Sequence, residues 1–403
     1  MPQTSHAGIP ALVVARSYTA LGMLRCLARA GIPAYLACPP DDLAALSRWF
    51  RPTPGAVPWH GTIDDQAGAR LAAMPLDEAV LITGADNAAL WAADVAAGPL
   101  AQRFHTSSSS RRTLEILQDK ARFGRFLRDA GLPHPRTFPL DRFADIAQVP
   151  FGELDRVFVK PKDSQRFNKA LDKKGIWADS RVELERVWTG IHALGFGVIA
   201  QEYVPGTAAD HYFIDGFRDR HGVIKGVLAR RRWRIFPPDF GNSSYCESVA
   251  LRQVSGAFET LSELLERLHY RGIFSAEFKR DARDGSFRIL EVNTRAWWYV
   301  EFAARCGVNV CAMAYDDALE RAAAPTPSRY RVGVGCVNWI NDVKSVCSPG
   351  GRQGASWLRI IWQWLWARYH VLCLDDPRPG LKVIREALIS VHRRAHCVAS
   401  RAR

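Results

Sequence analysis

Two acidic residues and an amide lie on a segment whose pattern predicts a β-hairpin. Residues 273–280 and 287–292 both alternate with the period of two that is typical of strands. Pairing of these strands places Glu277 opposite Glu291, and Asn293 projects from the same face as Glu291 because side chains alternate along a strand. Two carboxylates and an amide oxygen are ligands that suit a hard cation such as Mg²⁺. The alternative is a solvated strand face whose acids lie opposite basic residues.

Cationic residues occur at three places upstream of this hairpin. Lys120 lies within a helix predicted over 112–130, and a lysine is a suitable partner for phosphate. Lys160 ends an apolar strand predicted over 156–160, so its stem is buried and its ammonium group needs a partner. Arg230, followed by two further arginines, carries a guanidinium fork that fits phosphate or carboxylate. A solvated surface position is the alternative for each of these side chains.

Taken in chain order, these segments resemble the ATP-grasp superfamily. Residues 274–298 (FSAEFKRDARDGSFRILEVNTRAWW) are similar to its metal-binding hairpin, in which an acid on one strand and an E-x-N pair on the next bind two metal ions. The resemblance implies that Glu277, Glu291 and Asn293 bind two Mg²⁺ ions, or Mn²⁺ in their place, against the phosphates of ATP. Arg295 matches the last position of the frequent E-x-N-x-R pattern, although a threonine precedes it where many members have proline.

Three earlier segments resemble the ATP-binding parts of the same superfamily. Residues 118–137 (QDKARFGRFLRDAGLPHPRT) are similar to the helix and turn that begin the module, residues 157–164 (VFVKPKDS) to its lysine-bearing strand, and residues 198–206 (VIAQEYVPG) to the hinge around adenine. The resemblance implies that Lys120 and Lys160 contact the phosphates and that Asp210 contacts the ribose. It also implies that the hinge contacts adenine through Gln201, Glu202, Tyr203 and Val204.

Residues 229–249 (ARRRWRIFPPDFGNSSYCESV) resemble a segment of D-aspartate ligase-like members, in which basic residues precede a PP-x-x-G turn. The resemblance implies that Arg230 neutralises the transferring phosphate or a substrate carboxylate, and that Arg295 stabilises the acylphosphate oxygens. The loop over 162–175 departs from the family, because it has one glycine where many members have a glycine-rich loop. Its candidate phosphate contacts are Ser164, Lys173 and Lys174.

The resemblance implies an ATP-dependent, ADP-forming ligase that joins a carboxylate to an amine, or a similar nucleophile, through an acylphosphate. The expected partners are ATP and small-molecule carboxylate and amine substrates, with an amino acid, a peptide or a cell-envelope precursor as candidates. Two alternatives stay open: an ATP-grasp kinase or phosphotransferase, and a basic nucleic-acid-binding protein without catalysis. The net charge of +13 favours the second, but the sequence contains no recognisable nucleic-acid-binding module, so no nucleic-acid partner is expected.

The order of predicted elements indicates an α/β region followed by an α+β region. Strands over 11–15 and 34–37 flank a helix over 19–30, which is a β-α-β start typical of a parallel sheet. A further strand over 79–83 has residues 84–87 (GADN) at its carboxyl end, where such sheets often bind ligands, although a structural turn is the simpler interpretation. We therefore predict an ATP-grasp fold with a Rossmann-like domain over 1–110, an ATP-grasp domain over 111–325 hinged near 200–206, and a helical extension over 326–403.

The C-terminal extension is aromatic and basic. Residues 356–372 (SWLRIIWQWLWARYHVL) carry four tryptophans, and helical spacing places Arg359, Gln363 and His370 in a narrow polar strip. From residue 380 onward the chain has six Lys or Arg residues and a single acid. One interpretation is a helix packed on the body of the protein or on the partner of a homodimer. The other is peripheral attachment of residues 356–403 to an anionic membrane.

Composition sets the remaining bounds. The 403 residues are 48% hydrophobic and 24% charged, which indicates a globular chain of two or three domains. Nine cysteines without a CxxC pair argue against a zinc site or a disulfide framework and fit a reducing compartment. Residues 1–10 have no signal-peptide pattern, and no apolar run reaches the roughly 18 residues of a spanning helix. We therefore predict a cytoplasmic protein, located at the inner face of the membrane if its C-terminus binds lipid.

Overall fold

A parallel sheet begins the chain, as predicted. The computed structural model describes residues 8–154, 156–162, 167, 175–238, 241–321 and 330–401, with side chains up to residue 389. The first sheet has the order β2-β1-β3-β4, and its strands are β1 (Ala11–Val14), β2 (Ala34–Ala37), β3 (Ala79–Thr83) and β4 (Phe104–Thr106). The helices of this region are α1 (Ser17–Arg29), α2 (Ala67–Ala72) and α3 (Asp86–Ala97). The central strand β1 is buried at all four positions, as expected for a parallel sheet covered on both faces.

The single helix predicted over 112–130 is wrong, because the chain forms two helices there. These are α4 (Arg111–Gln118) and α5 (Lys120–Asp129). The residue between them, Asp119, has the extended backbone angles φ −85° and ψ 113°, and its carboxylate accepts hydrogen bonds from the N–H groups of Ala121 and Arg122. An aspartate in this position caps the second helix rather than continuing the first. Lys120 is therefore the first residue of α5.

A four-stranded antiparallel sheet follows, with the order β5-β8-β6-β7. Its elements are β5 (Thr137–Leu140), β6 (Val157–Pro161), β7 (Ile176–Ala178), α6 (Arg181–His192) and β8 (Val198–Glu202). β6 and β8 are neighbours, with Lys160 opposite Ile199 and Phe158 opposite Gln201. The predicted lysine strand and the predicted hinge strand therefore lie side by side.

The largest sheet has seven strands in the order β13-β12-β9-β10-β11-β14-β15. Its strands are β9 (His211–Arg218), β10 (Ile224–Phe236), β11 (Asn242–Val249), β12 (Gly272–Arg280), β13 (Phe287–Asn293), β14 (Gly335–Val337) and β15 (Arg368–Tyr369). Adjacent strands are antiparallel except for the pair β14–β15. The predicted hairpin is confirmed as β12–β13, with Glu277 directly opposite Glu291.

The two faces of β12 lie in different environments. Phe274, Ala276 and Phe278 are buried in an apolar cluster that includes Leu261 and Leu264 of helix α7 (Ser255–Arg267). Since side chains alternate along a strand, Glu277 projects from the opposite face. Burial of the apolar face therefore sets which residues of the sheet remain available for polar chemistry.

A second apolar cluster joins the N-terminal sheet to the large sheet. It contains residues of α1 and residues of the two helices that follow the hairpin, α8 (Val300–Cys306) and α9 (Val310–Ala318). Phe217 and Leu228 of the large sheet belong to the same cluster. This shared core holds the two sheets together.

The C-terminal extension is largely helical and also adds strands β14 and β15 to the large sheet. Its helices are α10 (Trp339–Val346), α11 (Trp357–Trp366) and α12 (Pro377–Arg401). The predicted polar strip is wrong at His370, because α11 ends at Trp366 and His370 follows β15, where its Nε2 lies 2.7 Å from the Trp298 carbonyl oxygen. Within the described part of the chain, no helix combines the length and apolar character that membrane crossing requires.

Candidate active site

The two carboxylates of the hairpin face each other at the polar side of the large sheet. Glu277 and Glu291 are register partners, and the pairing then shifts so that Phe278 lies opposite Ile289. Asn293 Nδ2 donates to Glu291 Oε1 over 3.2 Å, which leaves the Asn293 amide oxygen for other partners. The predicted set of two acids and one amide is thus brought together.

Two side chains from neighbouring strands contact Glu277. His211 Nδ1 lies 2.8 Å from Glu277 Oε1, and Arg232 Nη2 lies 3.2 Å from the same oxygen. Burial alone would raise the pKa of Glu277, but Arg232, the hydrogen bond from His211 and the charge of Lys160 outweigh it and hold the pKa well below its ordinary value. Glu277 is therefore an anion at neutral pH.

Burial, reinforced by Arg232, lowers the pKa of His211 to about 4 although Glu277 acts in the opposite direction. The imidazole is neutral at pH 7, and because a carboxylate only accepts, its proton lies on Nδ1 and is donated to Glu277. Burial likewise lowers the pKa of Lys279 to about 8, partly offset by Asp210. Lys279 Nζ lies 4.6 Å from the centre of the Tyr203 ring.

Lys160 joins the middle sheet to the acidic pair. Its Nζ donates to Gln201 Oε1 over 2.6 Å. Burial lowers the pKa of Lys160, Lys120 lowers it further, and Glu291 and Glu277 act in the opposite direction. Lys120, Glu277 and Glu291, which come from two other segments of the chain, therefore all lie within electrostatic range of Lys160.

The predicted hinge begins with the last two residues of β8 and continues beyond its end. Glu202 Oε1 lies 2.8 Å from Arg283 Nη1, and Glu202 Oε2 accepts from the Arg136 N–H over 3.0 Å. Tyr203 packs edge-on against Trp177 with ring centres 5.2 Å apart, and Val204 is buried. The side chain of Glu202 is thus held by two arginines, and the N–H groups of Glu202 and Tyr203 donate to the carbonyl oxygens of Arg136 and Arg156. The Tyr203 ring is therefore the contact group that the hinge presents.

Asp210 has a local structural partner. Its Oδ2 accepts from the Thr207 N–H over 2.8 Å and from the Thr207 hydroxyl over 2.9 Å. This arrangement caps the short turn over Ala208–Asp210 that leads into β9. The ribose contact remains a prediction that falls to the other oxygen of this carboxylate.

Arg295 contacts the start of helix α3, next to the N-terminal sheet. Its Nε donates to Asp86 Oδ1 over 2.7 Å, and Gln118 Nε2 donates to both the Asp86 carbonyl and the Thr294 hydroxyl. Asp86 begins helix α3 directly after strand β3. The loop over 84–87 therefore lies against the residues that directly follow the candidate metal hairpin. The sequence left two interpretations of this loop, a structural turn and a ligand-binding loop.

Arg230 lies in the same row of the sheet as Glu277, since both are register partners of Phe213. Its guanidinium is buried and engaged by Asp215, with Nε 2.6 Å from Oδ2, and Ser275 donates to the other oxygen over 2.7 Å. Burial alone would lower the pKa of Arg230, but the Asp215 carboxylate outweighs this effect, so the pKa of Arg230 lies above its ordinary value. The predicted alternative of a solvated position is wrong for Arg230, and its catalytic role remains a prediction.

Sequence reasoning missed two residues of this site, His211 and Lys279, and considered Arg232 only as one of three adjacent candidate partners for a phosphate or a substrate carboxylate. His211 and Arg232 reach Glu277 through the pairing of β9 with β10 and β12, which joins positions far apart in the chain. The available signal was alternation, because Arg232 follows Arg230 by two residues and therefore projects from the same face.

The donor set fits a magnesium ion that arrives with a phosphate ligand. In the part of the chain that the structure describes, no group of three His, Cys, Asp or Glu side chains is placed to hold a metal alone. Glu277, Glu291 and Asn293 supply two carboxylates and an amide oxygen on one hairpin. Mg²⁺ is commonly bound by one or two carboxylates together with substrate phosphates. The predicted phosphate contacts Ser164, Lys173 and Lys174 lie outside the described residues.

Comparison with known proteins identifies the fold. No family model matches the chain. A D-aspartate ligase of Enterococcus faecium (strain Aus0004) is 22% identical over 222 residues, which are 50% of this chain and 50% of that protein, so the match spans about half the length of the curated relative.

Two solved structures extend the likeness over most of the chain. The N5-carboxyaminoimidazole ribonucleotide synthetase of Thermotoga maritima is 14% identical with a TM-score of 0.55, covering 81% of this chain and 79% of that one. An N5-carboxyaminoimidazole synthetase of Staphylococcus aureus, complexed with ADP, is 13% identical with a TM-score of 0.60, covering 83% and 82%. The chain has the ATP-grasp fold, and the predicted resemblance is confirmed at the level of the fold.

Replacement of Arg230 tests whether the buried arginine is a structural element. Arg230→Ala leaves Asp215 as a buried, uncompensated carboxylate, so we expect the free energy of unfolding in urea to fall by about 3–5 kcal/mol. Arg186→Ala is the matched control, because this arginine on α6 is 78% exposed and its loss should cost less than about 0.5 kcal/mol. Equal unfolding midpoints for the two variants would contradict the assignment.

Proposed function

We propose that the protein is an ATP-dependent, ADP-forming ligase that joins a carboxylate to an amine through an acylphosphate. The observation that carries the proposal is the opposition of Glu277 and Glu291 across the hairpin, with Asn293 hydrogen-bonded to Glu291. The two acids lie within electrostatic range of Lys160, which in turn lies within range of Lys120. A metal-phosphate complex matches both the acids and the lysines.

The ATP-binding residues come from two sheets in this proposal. Lys160 lies on the middle sheet and acts on the acids of the large sheet, so a nucleotide between them would have its phosphates near both. The Tyr203 ring, with Lys279 above it, is the apolar contact available to a base at the hinge. Asp210 would take the ribose. We infer that ATP binds in the cleft between the two sheets.

The metal would be held by Glu277, Glu291 and Asn293 together with phosphate oxygens, with two Mg²⁺ ions as the expected number. When bound, Mg²⁺ withdraws charge from the phosphate oxygens and so eases attack on the terminal phosphorus. The hydrogen bond from neutral His211 and the ion pair with Arg232 keep Glu277 ionised and oriented. His211 thus acts by supporting the metal ligand Glu277 rather than by acting on the reacting atoms.

Arg295 is proposed to stabilise the acylphosphate. Its guanidinium is 19% exposed and anchored by Asp86, so one edge is fixed by the N-terminal domain while the charge remains close to the hairpin. A fixed cation near developing negative charge lowers the barrier without needing to reorganise. We infer that the carboxylate substrate lies between Arg295 and the metal.

The substrate class rests on similarity. The D-aspartate ligase match supports an amino acid as a substrate. A peptide and a cell-envelope precursor are the other candidates. The reaction needs no nucleophile from the enzyme. In the first step the substrate carboxylate oxygen attacks the terminal phosphorus of ATP, and ADP leaves. In the second step the amine attacks the acyl carbon, displaces phosphate and loses a proton.

Replacement of one metal ligand tests the reaction. We expect Glu291→Gln to reduce ADP release stimulated by amino acids or dipeptides by about 100-fold or more, because an amide replaces a charged metal ligand of the same size. The assay is a coupled ADP measurement over a panel of such substrates, followed by mass spectrometry for the amide product.

Glu263→Gln is the control, because this acid is 49% exposed on helix α7, which packs on the apolar face of the hairpin opposite the acids, and its loss should leave the rate unchanged. Wild-type turnover in Glu291→Gln would contradict the metal assignment. A phosphorylated product with no amide would instead favour the kinase reaction.

The lowered pKa of Lys279 predicts how nucleotide affinity depends on pH. Since burial lowers this pKa to about 8, Lys279 loses its charge as the pH rises through about 8, and affinity for ATP should fall by up to about tenfold per pH unit above it. Titration calorimetry between pH 7 and 9 should show this fall in the wild type and in Lys382→Met, whose lysine lies on α12. Lys279→Met should bind more weakly at pH 7 and vary little with pH. An unchanged pH dependence in Lys279→Met would remove Lys279 from the site.

A further inference from the structure

Helix α11 presents a broad apolar face to solvent. Its outward side chains are exposed by 82% at Leu358, 64% at Trp362, 71% at Leu365 and 68% at Trp366. Trp357 and Ile361 complete the face with exposures of 48% and 47%. At about 100° per residue these six positions share one half of the helix circumference, without a charged residue among them. Such a patch on a helix normally marks a surface that is covered in use.

The orientation of α11 is fixed by polar contacts on its inward side. Gln363 is buried and accepts from Arg234 Nη1 over 2.6 Å, and Trp364 Nε1 donates to Asp342 Oδ2 over 2.7 Å. Arg234 and Asp342 form a buried ion pair of 2.7 Å. Rotation of the helix to bury its apolar face would break these bonds to buried charges, which is costly. The exposed tryptophans are therefore part of the folded structure.

The surroundings of this face are cationic. Residues 343–374 contain no Asp or Glu. The segment contains four Lys or Arg residues, all of them exposed: Lys344, Arg352, Arg359 and Arg368. Arg352 lies 5.6 Å from the centre of the Trp357 ring, at the start of the helix. An apolar face bordered by cations complements an apolar surface bordered by anions.

An arginine-lined cavity follows the end of α11. It has a volume of about 210 Å³, and its lining includes Arg29, Arg305, Arg331 and Arg368. Arg29 and Arg305 both pair with Glu301, at 3.4 Å and 2.7 Å, and Arg29 also lies 3.8 Å from Asp375. Arg331 and Arg368 have no ion-pair partner among the described residues. A cavity of this kind suits a phosphate group, because guanidinium forks match phosphate oxygens.

We propose that the protein docks peripherally on an anionic phospholipid bilayer through the outward face of α11. The helix would lie in the plane of the interface with its tryptophans and leucines at the boundary between headgroups and acyl chains, and Arg331 and Arg368 would bind lipid phosphates. This attachment is independent of the ligase reaction.

Charge favours a bilayer over a second copy of the chain as the occupant. A twofold interface places the same patch opposite itself, so the face of one copy would meet that of its partner. With cations and no acids along residues 343–374, such contact would bring like charges together. An anionic lipid surface neutralises the same cations.

Vesicle co-sedimentation of the full chain tests the proposal. Wild-type protein should pellet with vesicles that contain phosphatidylglycerol and remain in solution with pure phosphatidylcholine. The triple variant Trp362→Ser/Leu365→Ser/Trp366→Ser should lose at least about tenfold in partition coefficient, because three buried apolar groups are removed from the lipid. Val182→Ser/Leu194→Ser is the matched control, since these apolar residues, in and just beyond α6, are 74% and 52% exposed.

A second set of variants distinguishes lipid binding by the arginine cavity from attraction of the vesicle by the positive charge of the whole protein. Arg331→Gln/Arg368→Gln should weaken binding to phosphatidylglycerol vesicles by about tenfold or more, and Arg142→Gln/Arg186→Gln, whose arginines are 81% and 78% exposed, should bind like wild type. Equal loss in both pairs would overturn the cavity as a phosphate site.

A second readout does not depend on the stability of the triple variant. Brominated acyl chains should quench wild-type tryptophan fluorescence, and the quenching should fall in Trp362→Phe/Trp366→Phe, which keeps the face apolar. The proposal would be overturned by equal quenching in both proteins, or by equal pelleting of the wild type and the triple variant. It would also be overturned if the wild type does not bind vesicles but forms a dimer that is lost in the triple variant.

Discussion

Glu277 and Glu291 lie directly opposite each other on adjacent strands, and like charges in that position repel. The fold compensates with cations drawn from elsewhere: Arg232 from β10, and Lys160 from the middle sheet. Neutral His211 adds a hydrogen bond to Glu277 without adding a charge. The hairpin therefore requires the other elements around it, and a metal-phosphate complex would satisfy the same charges. This requirement relates the position of the middle sheet to the chemistry of the large one.

Strand β10 connects the candidate site with the C-terminal region. Its alternate residues Arg230, Arg232 and Arg234 each pair with an acid, which are Asp215, Glu277 and Asp342 in that order. The first pair is buried in the sheet, the second belongs to the candidate site, and the third holds helix α11 through Gln363. One strand thus supports both the proposed metal site and the proposed docking helix. Loss of a buried partner anywhere along it would disturb its neighbours.

Local patterns predicted the parts of the site that depend on nearby residues. The pairing of Glu277 with Glu291 follows from a hairpin with a short turn, and the half-buried position of Lys160 follows from the apolar strand before it. The break at Asp119 was missed because a capping aspartate inside a helical pattern competes with helix continuation through its own side chain. His370 was misplaced because helical spacing continued past the point where the chain joins the large sheet as β15.

Long-range pairs could not be predicted in this way. Arg295 and Asp86 meet because the N-terminal and large sheets share a core, and His211 reaches Glu277 through the pairing of β9 with β12. No local period specifies which distant strand will be the neighbour. The order of the motifs along the chain nevertheless indicated which strands are neighbours, because it resembles that of a known fold. The spacing of residues alone did not specify these neighbours.

The central claim is that Glu277 and Glu291 hold a metal together with ATP, and water proton relaxation with Mn²⁺ tests it most directly. Mn²⁺–ATP should show strong relaxation enhancement when it binds the wild-type protein, and Mn²⁺ without nucleotide should show little, because two carboxylates and an amide need phosphate oxygens to complete the shell. Glu277→Gln/Glu291→Gln should abolish the enhancement. Equal enhancement in the wild type and this double variant would contradict the account.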